Sequence, residues 1–437
     1  MPTLARPETC PDCTAPLDGD PGFPVWCPGC EWNLLVEPAA APGRLTPREQ
    51  RRAARAERRT AERERAVRAR SELVYEQVAG GSPAHRDPAV RLAVALAGLV
   101  HLTTLLVLAG SVALLVGDAW PLRVLGAVGL LIAFVLRPRP GRPGENDRPV
   151  GRAEAPALYA LADRVAAAVG APPVDVIVLS DEFNASFGRT GLRNRGVLTI
   201  GLTLWTVFTP AQRVAMLAHE FGHAVNGDHR RGRWLGFALR ALHEWYRLTV
   251  PERLTASGDH YVLILAGHLQ RLVMLLVNGA VAGLLTALDR LTVRSGQAAE
   301  YRADALAAAV AGTAAAQSML ESLLLGTTVE SVLMRRRNRL VRARRDDRAD
   351  AAELRADLVE RVAAVPAVER ERRLRLSART LGSVDQTHPP THLRVRLVGQ
   401  RPQVTEPLVV LTDEQGAAIE AELAPHWERM SRELLRG

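Results

Sequence analysis

Residues 215–229 read "AMLAHEFGHAVNGDH". His219 and His223 stand four apart, with Glu220 directly after the first. On a helix, positions i and i+4 share a face, so both imidazoles can aim at one point. Glu220 sits one step around the helix and reaches a water at that point rather than the point itself. This is the HExxH arrangement, in which two histidines hold zinc and the glutamate serves as general base. The flanks predict a helix. Thr209 is an N-cap, Pro210 takes the first helical position and Gln212 completes a capping box. Asn226-Gly227 is a stop signal. Ala218, Gly222 and Ala224 are small enough to admit a second helix at close range.

Zinc in such a site takes three protein ligands and keeps one position open. Two residues compete to be the third. His229 follows His223 by six residues, the spacing of HExxHxxGxxH sites, but Asn226 stands where that motif has its glycine. Glu300 lies in "SGQAAEYRADALAAA", residues 295–309, with Asp304 one helical turn further on. Glu300 would complete a His₂Glu set, and Asp304 would hydrogen-bond the far nitrogen of a ligand histidine, with His219 the expected partner. Pairing a ligand with a supporting carboxylate favours Glu300.

The chain has 437 residues, 47% of them hydrophobic, which is enough for more than one domain. It contains no lysine, and its net charge of +9 is carried by arginine. Ten Arg and four Glu crowd residues 48–70, where they predict a long charged helix. A solvated face is the first reading of that helix, and attraction to anionic lipid head groups the second. Nucleic acid is not the expected partner, because no aromatic residues are interleaved. Cys10, Cys13, Cys27 and Cys30 form two CxxC pairs thirteen residues apart, the pattern of a Cys₄ zinc ribbon. All four ligand positions are filled, so the ribbon is a structural or docking module and its thiols imply a reducing compartment. No apolar run in the first thirty residues predicts a cleavable signal.

Residues 92–116 carry no acidic or basic side chain except His101, and a shorter apolar run, 122–136, follows the turn "DAWP". Together they predict a transmembrane hairpin. Arginines crowd its outer ends and spare its turn, which predicts a multi-pass protein of the cell membrane with both termini and the protease domain in the cytoplasm. A third apolar run, 261–288, is interrupted by His268, Gln270, Arg271 and Asn278. It is either a buried or interfacial helix or half of a hairpin with residues 234–248. Helical periodicity covers 154–169 and 334–380, and strand composition covers 174–180 and 196–204. The organisation is a ribbon-like segment (1–40), a charged helix (44–80), a membrane hairpin (91–137), a linker (138–152), a metallopeptidase domain (153–400) and a helical tail (401–437).

"HEFGHAVNGD", "EYRAD" and "THPPTHLR" occur in this order, and with them residues 150–400 resemble the HtpX-like and CAAX-prenyl-protease-like zinc metallopeptidases. The resemblance implies a zincin-like fold, mainly α with a small β-sheet. It also implies an endopeptidase acting on polypeptides beside the lipid bilayer. By it, His219, His223 and Glu300 hold zinc and Glu220 is the base. "FNASFGR" is similar to the family's substrate strand: Asn184 matches, and Ser186 stands where Ala-Phe would continue. His388 and Arg394 match the family's downstream His and Arg, while His392 reads as an ordinary loop histidine. The ribbon and the charged helix depart from the family pattern and predict a second zinc and a protein partner. The rival reading is an inactive membrane scaffold, against which Glu220 argues, since a structural zinc site has no use for it.

Overall fold

The computed structural model describes residues 7–17, 19–35, 46–81, 88–136, 148–190, 195–225, 228–250, 261–343, 351–379 and 388–436. Helix α1 (Pro47–Ala79) is followed by two apolar helices, α2 (Pro88–Val116) and α3 (Trp120–Leu136). Strand β1 (Arg148–Val150) precedes α4 (Pro156–Val169), and then come β2 (Val176–Ser180), β3 (Ala185–Thr190) and β4 (Arg195–Gly201). The rest is helical: α5 (Leu202–Val207), α6 (Pro210–Val225), α7 (Asp228–Thr249), α8 (Tyr261–Ala311), α9 (Thr313–Leu323) and α10 (Gly326–Ala343). Helices α11 (Ala351–Ala363), α12 (Ala367–Arg379), α13 (Thr391–Gln400) and α14 (Asp413–Arg436) complete it. The fold is therefore mainly α with one small mixed sheet.

The chain divides into two compact units. The first holds Met1–Ser82, Pro143–Asn226 and Gln297–Gly437; the second holds Pro83–Arg142 and Gly227–Gly296.

In the first unit the sheet order is β1-β2-β4-β3, with β2 parallel to β4 and both outer pairings antiparallel. Strand β3 is thus an edge. Buried Tyr159 of α4 ties two strands together: its hydroxyl donates to Val150 O at 2.7 Å and accepts from Ile177 N at 2.8 Å. Sequence composition extends the fourth strand to residue 204, but β4 stops at Gly201 and residues 202–204 open α5. A Cβ at Gly201 would lie 1.8 Å from Glu182 O, so only glycine fits at this junction. Ile177, Leu198, Trp205, Phe221, Leu320, Leu354 and Trp427 share one core with the buried face of α4. Helix α14 belongs to that core, and its Glu422 carboxylate accepts from Ala157 N (2.7 Å) and Leu158 N (3.0 Å), satisfying the open first turn of α4.

The second unit comprises α2, α3, α7 and the first part of α8. Small residues let its helices close: Ala93 and Ala97 of α2, Ala238 and Ala241 of α7, with Leu242, Val281 and Leu288. Asn278 of α8 donates to Tyr246 O and Thr249 Oγ1 of α7, each at 3.0 Å, which ties the two helices together. Leu106, Leu131 and Leu276 are each more than 60% exposed, so the apolar surface faces outward rather than into a core. Helices α2 and α8 are long and apolar enough to cross a membrane, while α3 is an apolar helix of 17 residues.

Candidate metal centre

Helix α6 starts as its sequence dictates. Gln212 N lies 3.4 Å from Thr209 Oγ1 and Thr209 N donates to Gln212 Oε1 at 2.9 Å, closing the capping box. The helix then runs through the core with Met216, Leu217, Ala218 and Phe221 buried. At Gly222 a Cβ would lie 3.0 Å from the Cα of Ala303. That absent side chain lets α6 and the end of α8 pass close enough for Glu300 to meet the two histidines.

The meeting is tight. His219 Nε2 and His223 Nε2 are 3.3 Å apart. Glu300 Oε2 is 3.4 Å from His219 Nε2, and Glu300 Oε1 is 3.4 Å from His223 Nε2. Zinc bonds of about 2.0–2.1 Å set the edge of a tetrahedron at about 3.3–3.4 Å. The three donors therefore already span one face of a zinc tetrahedron. Buried Glu300 Oε2 also completes no hydrogen bond of good geometry among the described residues, which a cation would remedy. Behind the face, His219 Nδ1 lies 3.0 Å from Asp304 Oδ1, the supporting contact expected for a ligand histidine. The side chain of His229, the competing ligand, lies outside the described residues.

The charges fit a site built to hold a cation. Burial alone would lower the pKa of His219, but Asp304 and Glu300 outweigh it and raise it to about 10. His223, buried beside His219, falls to about 4. Loss of water pushes Glu220 up to about 7 against the pull of His219. Its Oε2 accepts from the backbone N–H of Phe187 at 3.1 Å, which ties the glutamate to edge strand β3. Sequence reading misses this contact, because a backbone donor leaves no side-chain signature.

The downstream motif also arrives. His388 Nδ1 is 2.8 Å from Glu300 Oε2, and its side chain is 39% exposed, so the centre is open on this side. Arg394 is buried and grips Asp304 with two hydrogen bonds, 2.8 Å from Nε and 2.7 Å from Nη2. It holds the carboxylate that holds His219. Asn184 is exposed at the start of β3, and its amide oxygen accepts from Ala185 N at 2.9 Å. No hydrogen bond joins it to the three donors among the described residues.

A second cluster lies in residues 7–35. Cys10 Sγ is 3.4 Å from Cys30 Sγ, and Cys13 Sγ is 3.5 Å from Cys27 Sγ. A disulfide needs about 2.05 Å, and all four cysteines are free. Both knuckles close alike: Thr14 N donates to Cys10 O at 2.9 Å and Glu31 N to Cys27 O at 2.8 Å. Zinc–sulfur bonds of about 2.3 Å set thiolates about 3.8 Å apart, and the four sulfurs all lie within 4.8 Å of one another. The cluster fits a closed four-sulfur site.

A helix carrying HExxH, completed by a glutamate from a second helix beside an edge strand, defines a metallopeptidase. Residues 152–401 match the model of Peptidase family M48, and the chain belongs to that family of zinc metallopeptidases. The match takes in every residue of the metal centre and leaves out the ribbon, α1, α2 and α3. Among curated proteins and solved structures, none matches the chain significantly.

Proposed function

We propose that the protein is a membrane-anchored zinc endopeptidase that cleaves unfolded or extended polypeptides, in membrane-protein quality control or processing. The observation that carries this reading is the face of three donors 3.3–3.4 Å apart, with Glu220 next to it on the same helix. His219, His223 and Glu300 hold the metal. Zinc bound there supplies Lewis acidity, stabilising negative charge on oxygen and lowering the pKa of water. Glu220 takes the proton of the attacking water and passes it to the leaving nitrogen. Its pKa of about 7 suits both steps near neutral pH. His388, beside Glu300 and partly open to solvent, donates to the oxyanion, with the Asn184 amide as a second donor. Arg394 and Asp304 fix the orientation of the His219 ring. The outer edge of β3, beside Glu220, receives an extended substrate backbone to backbone, which gives affinity with little sequence selectivity.

Anchoring rests on the outward apolar faces of α2 and α8. The arginine asymmetry of the sequence puts the centre on the cytoplasmic side. The reading is tested with unfolded casein. Glu220→Gln keeps the metal and the fold while hydrolysis falls about 10²- to 10⁴-fold. Casein cleavage by that variant at the wild-type rate would show that Glu220 is not the base.

A further inference from the structure

The four-cysteine ribbon lies outside the family match, yet it does not stand free. Its buried Trp26 donates from the indole nitrogen to Val368 O of α12 at 3.2 Å. The Arg375 guanidinium of α12 sits over the Trp26 ring, 5.3 Å from its centroid, and donates to Pro28 O at 2.6 Å. Arg372 donates to Leu34 O at 3.0 Å, and Arg379 pairs with Glu31. Helix α1 adds a hold at the same end, where Arg68 donates to Arg379 O at 2.7 Å. Three arginines at 372, 375 and 379, one helical turn apart, thus turn one face of α12 onto the ribbon.

Helix α12 in turn holds the segment that closes the metal centre. Ser377 Oγ accepts from the backbone N–H of His392 at 3.1 Å, in the first turn of α13. His392 stands between His388, which lies against Glu300, and Arg394, which grips Asp304. A line of contacts therefore runs from the ribbon through α12 to His392, four residues after His388 and two before Arg394 in the chain. We infer that the ribbon is a metal-dependent brace acting within its own chain, with Trp26, Glu31, Arg375 and Arg379 as positioning residues for His388 and Arg394.

The dependence on metal follows from size. Residues 7–35 are too few to hold a core of their own, and segments below about 40 residues usually need a metal or a disulfide to fold. The four thiols supply the metal site, so loss of the metal undoes Trp26, Pro28, Glu31 and Leu34 as a docking face. The outcome at the centre is a displaced His388, with the three zinc donors untouched. Small displacements of that kind cost turnover rather than binding.

This inference rests on the peptidase reading for its kinetic arm only. Two variants of the full chain test it. Cys27→Ser with Cys30→Ser removes the ribbon metal. Arg375→Ala keeps that metal, since Arg375 is not a ligand, and breaks the contacts to Trp26, Pro28 and Glu31. Both should retain the catalytic-site zinc and lower kcat on casein by about 10- to 100-fold with KM little changed. Both should also speed amide hydrogen exchange in 367–379 and 391–400 by about tenfold or more. Arg375→Lys, which keeps the charge against Glu31, should recover part of each loss. Unchanged exchange in 391–400 in Arg375→Ala would overturn the brace, as would unchanged kcat in a variant whose 367–379 exchange has accelerated. If the wild-type protein cleaves nothing, the peptidase reading fails and the exchange result still decides the brace.

Discussion

The two clusters of metal-ligand side chains in this chain are built from different materials. The ribbon offers four sulfurs from two short knuckles, close in sequence and with every tetrahedral position taken. The centre on α6 and α8 offers three donors drawn from positions 81 residues apart, backed by Asp304 and opened to solvent at His223 and His388. The supporting carboxylates differ as well. Asp304 faces inward onto His219, whereas Glu31, next to Cys30, faces outward onto Arg375 and Arg379 of α12. A closed set of soft ligands makes a structural site, and an open set with a supporting shell and an adjacent base makes a reactive one.

Substitutions can break this contrast in either direction. Glu300→Ala should abolish hydrolysis and remove one zinc of two, leaving the ribbon zinc in place; metal analysis of the purified variant checks it. An active Glu300→Ala with full zinc content would return the third ligand to His229. Asp304→Asn should weaken the catalytic zinc by about 10- to 100-fold, read by competition with a chelator, because the His219 ring loses its anionic partner. The ribbon zinc should not respond. Equal weakening of both metals would mean that Asp304 acts through the stability of the whole unit rather than on the His219 ring.

The pH profile sharpens the contrast with a smaller effect. Burial raises Glu220 to about 7, and a carboxylate with a raised pKa is protonated at pH values where an ordinary one is charged. A base must be the anion, so activity falls as pH drops, and zinc nearby can only draw the midpoint below about 7. The acid limb of kcat/KM on casein should therefore have its midpoint between the ordinary 4.5 and about 7. A profile flat down to pH 4.5, the ordinary value for this group, would remove Glu220 from that role.

The sequence reveals the centre unusually well for a physical reason. His219 with His223, and Glu300 with Asp304, each repeat at one helical turn, so helix geometry alone places all four side chains on two faces. The capping box at Thr209 and the small Gly222 are equally local signals. What escapes is what depends on distant partners. The Phe187 amide on Glu220 comes from a strand 33 residues earlier, and it is backbone. The docking of Trp26 on α12 joins positions 342 residues apart, with only scattered arginines to mark it. Helix α8 continues from its apolar stretch into the centre as one 51-residue element, because residues 289–296 carry charge but no proline to stop it. The need for glycine at 201 comes from the close approach of Glu182, which composition cannot see.

The most direct test is anomalous scattering at the zinc edge from crystals of the full chain. Two peaks are expected: one among the sulfurs of Cys10, Cys13, Cys27 and Cys30, and one about 2.0–2.2 Å from His219 Nε2, His223 Nε2 and a Glu300 oxygen. A peak at the ribbon alone, in crystals grown with zinc present, would leave a scaffold in place of an enzyme.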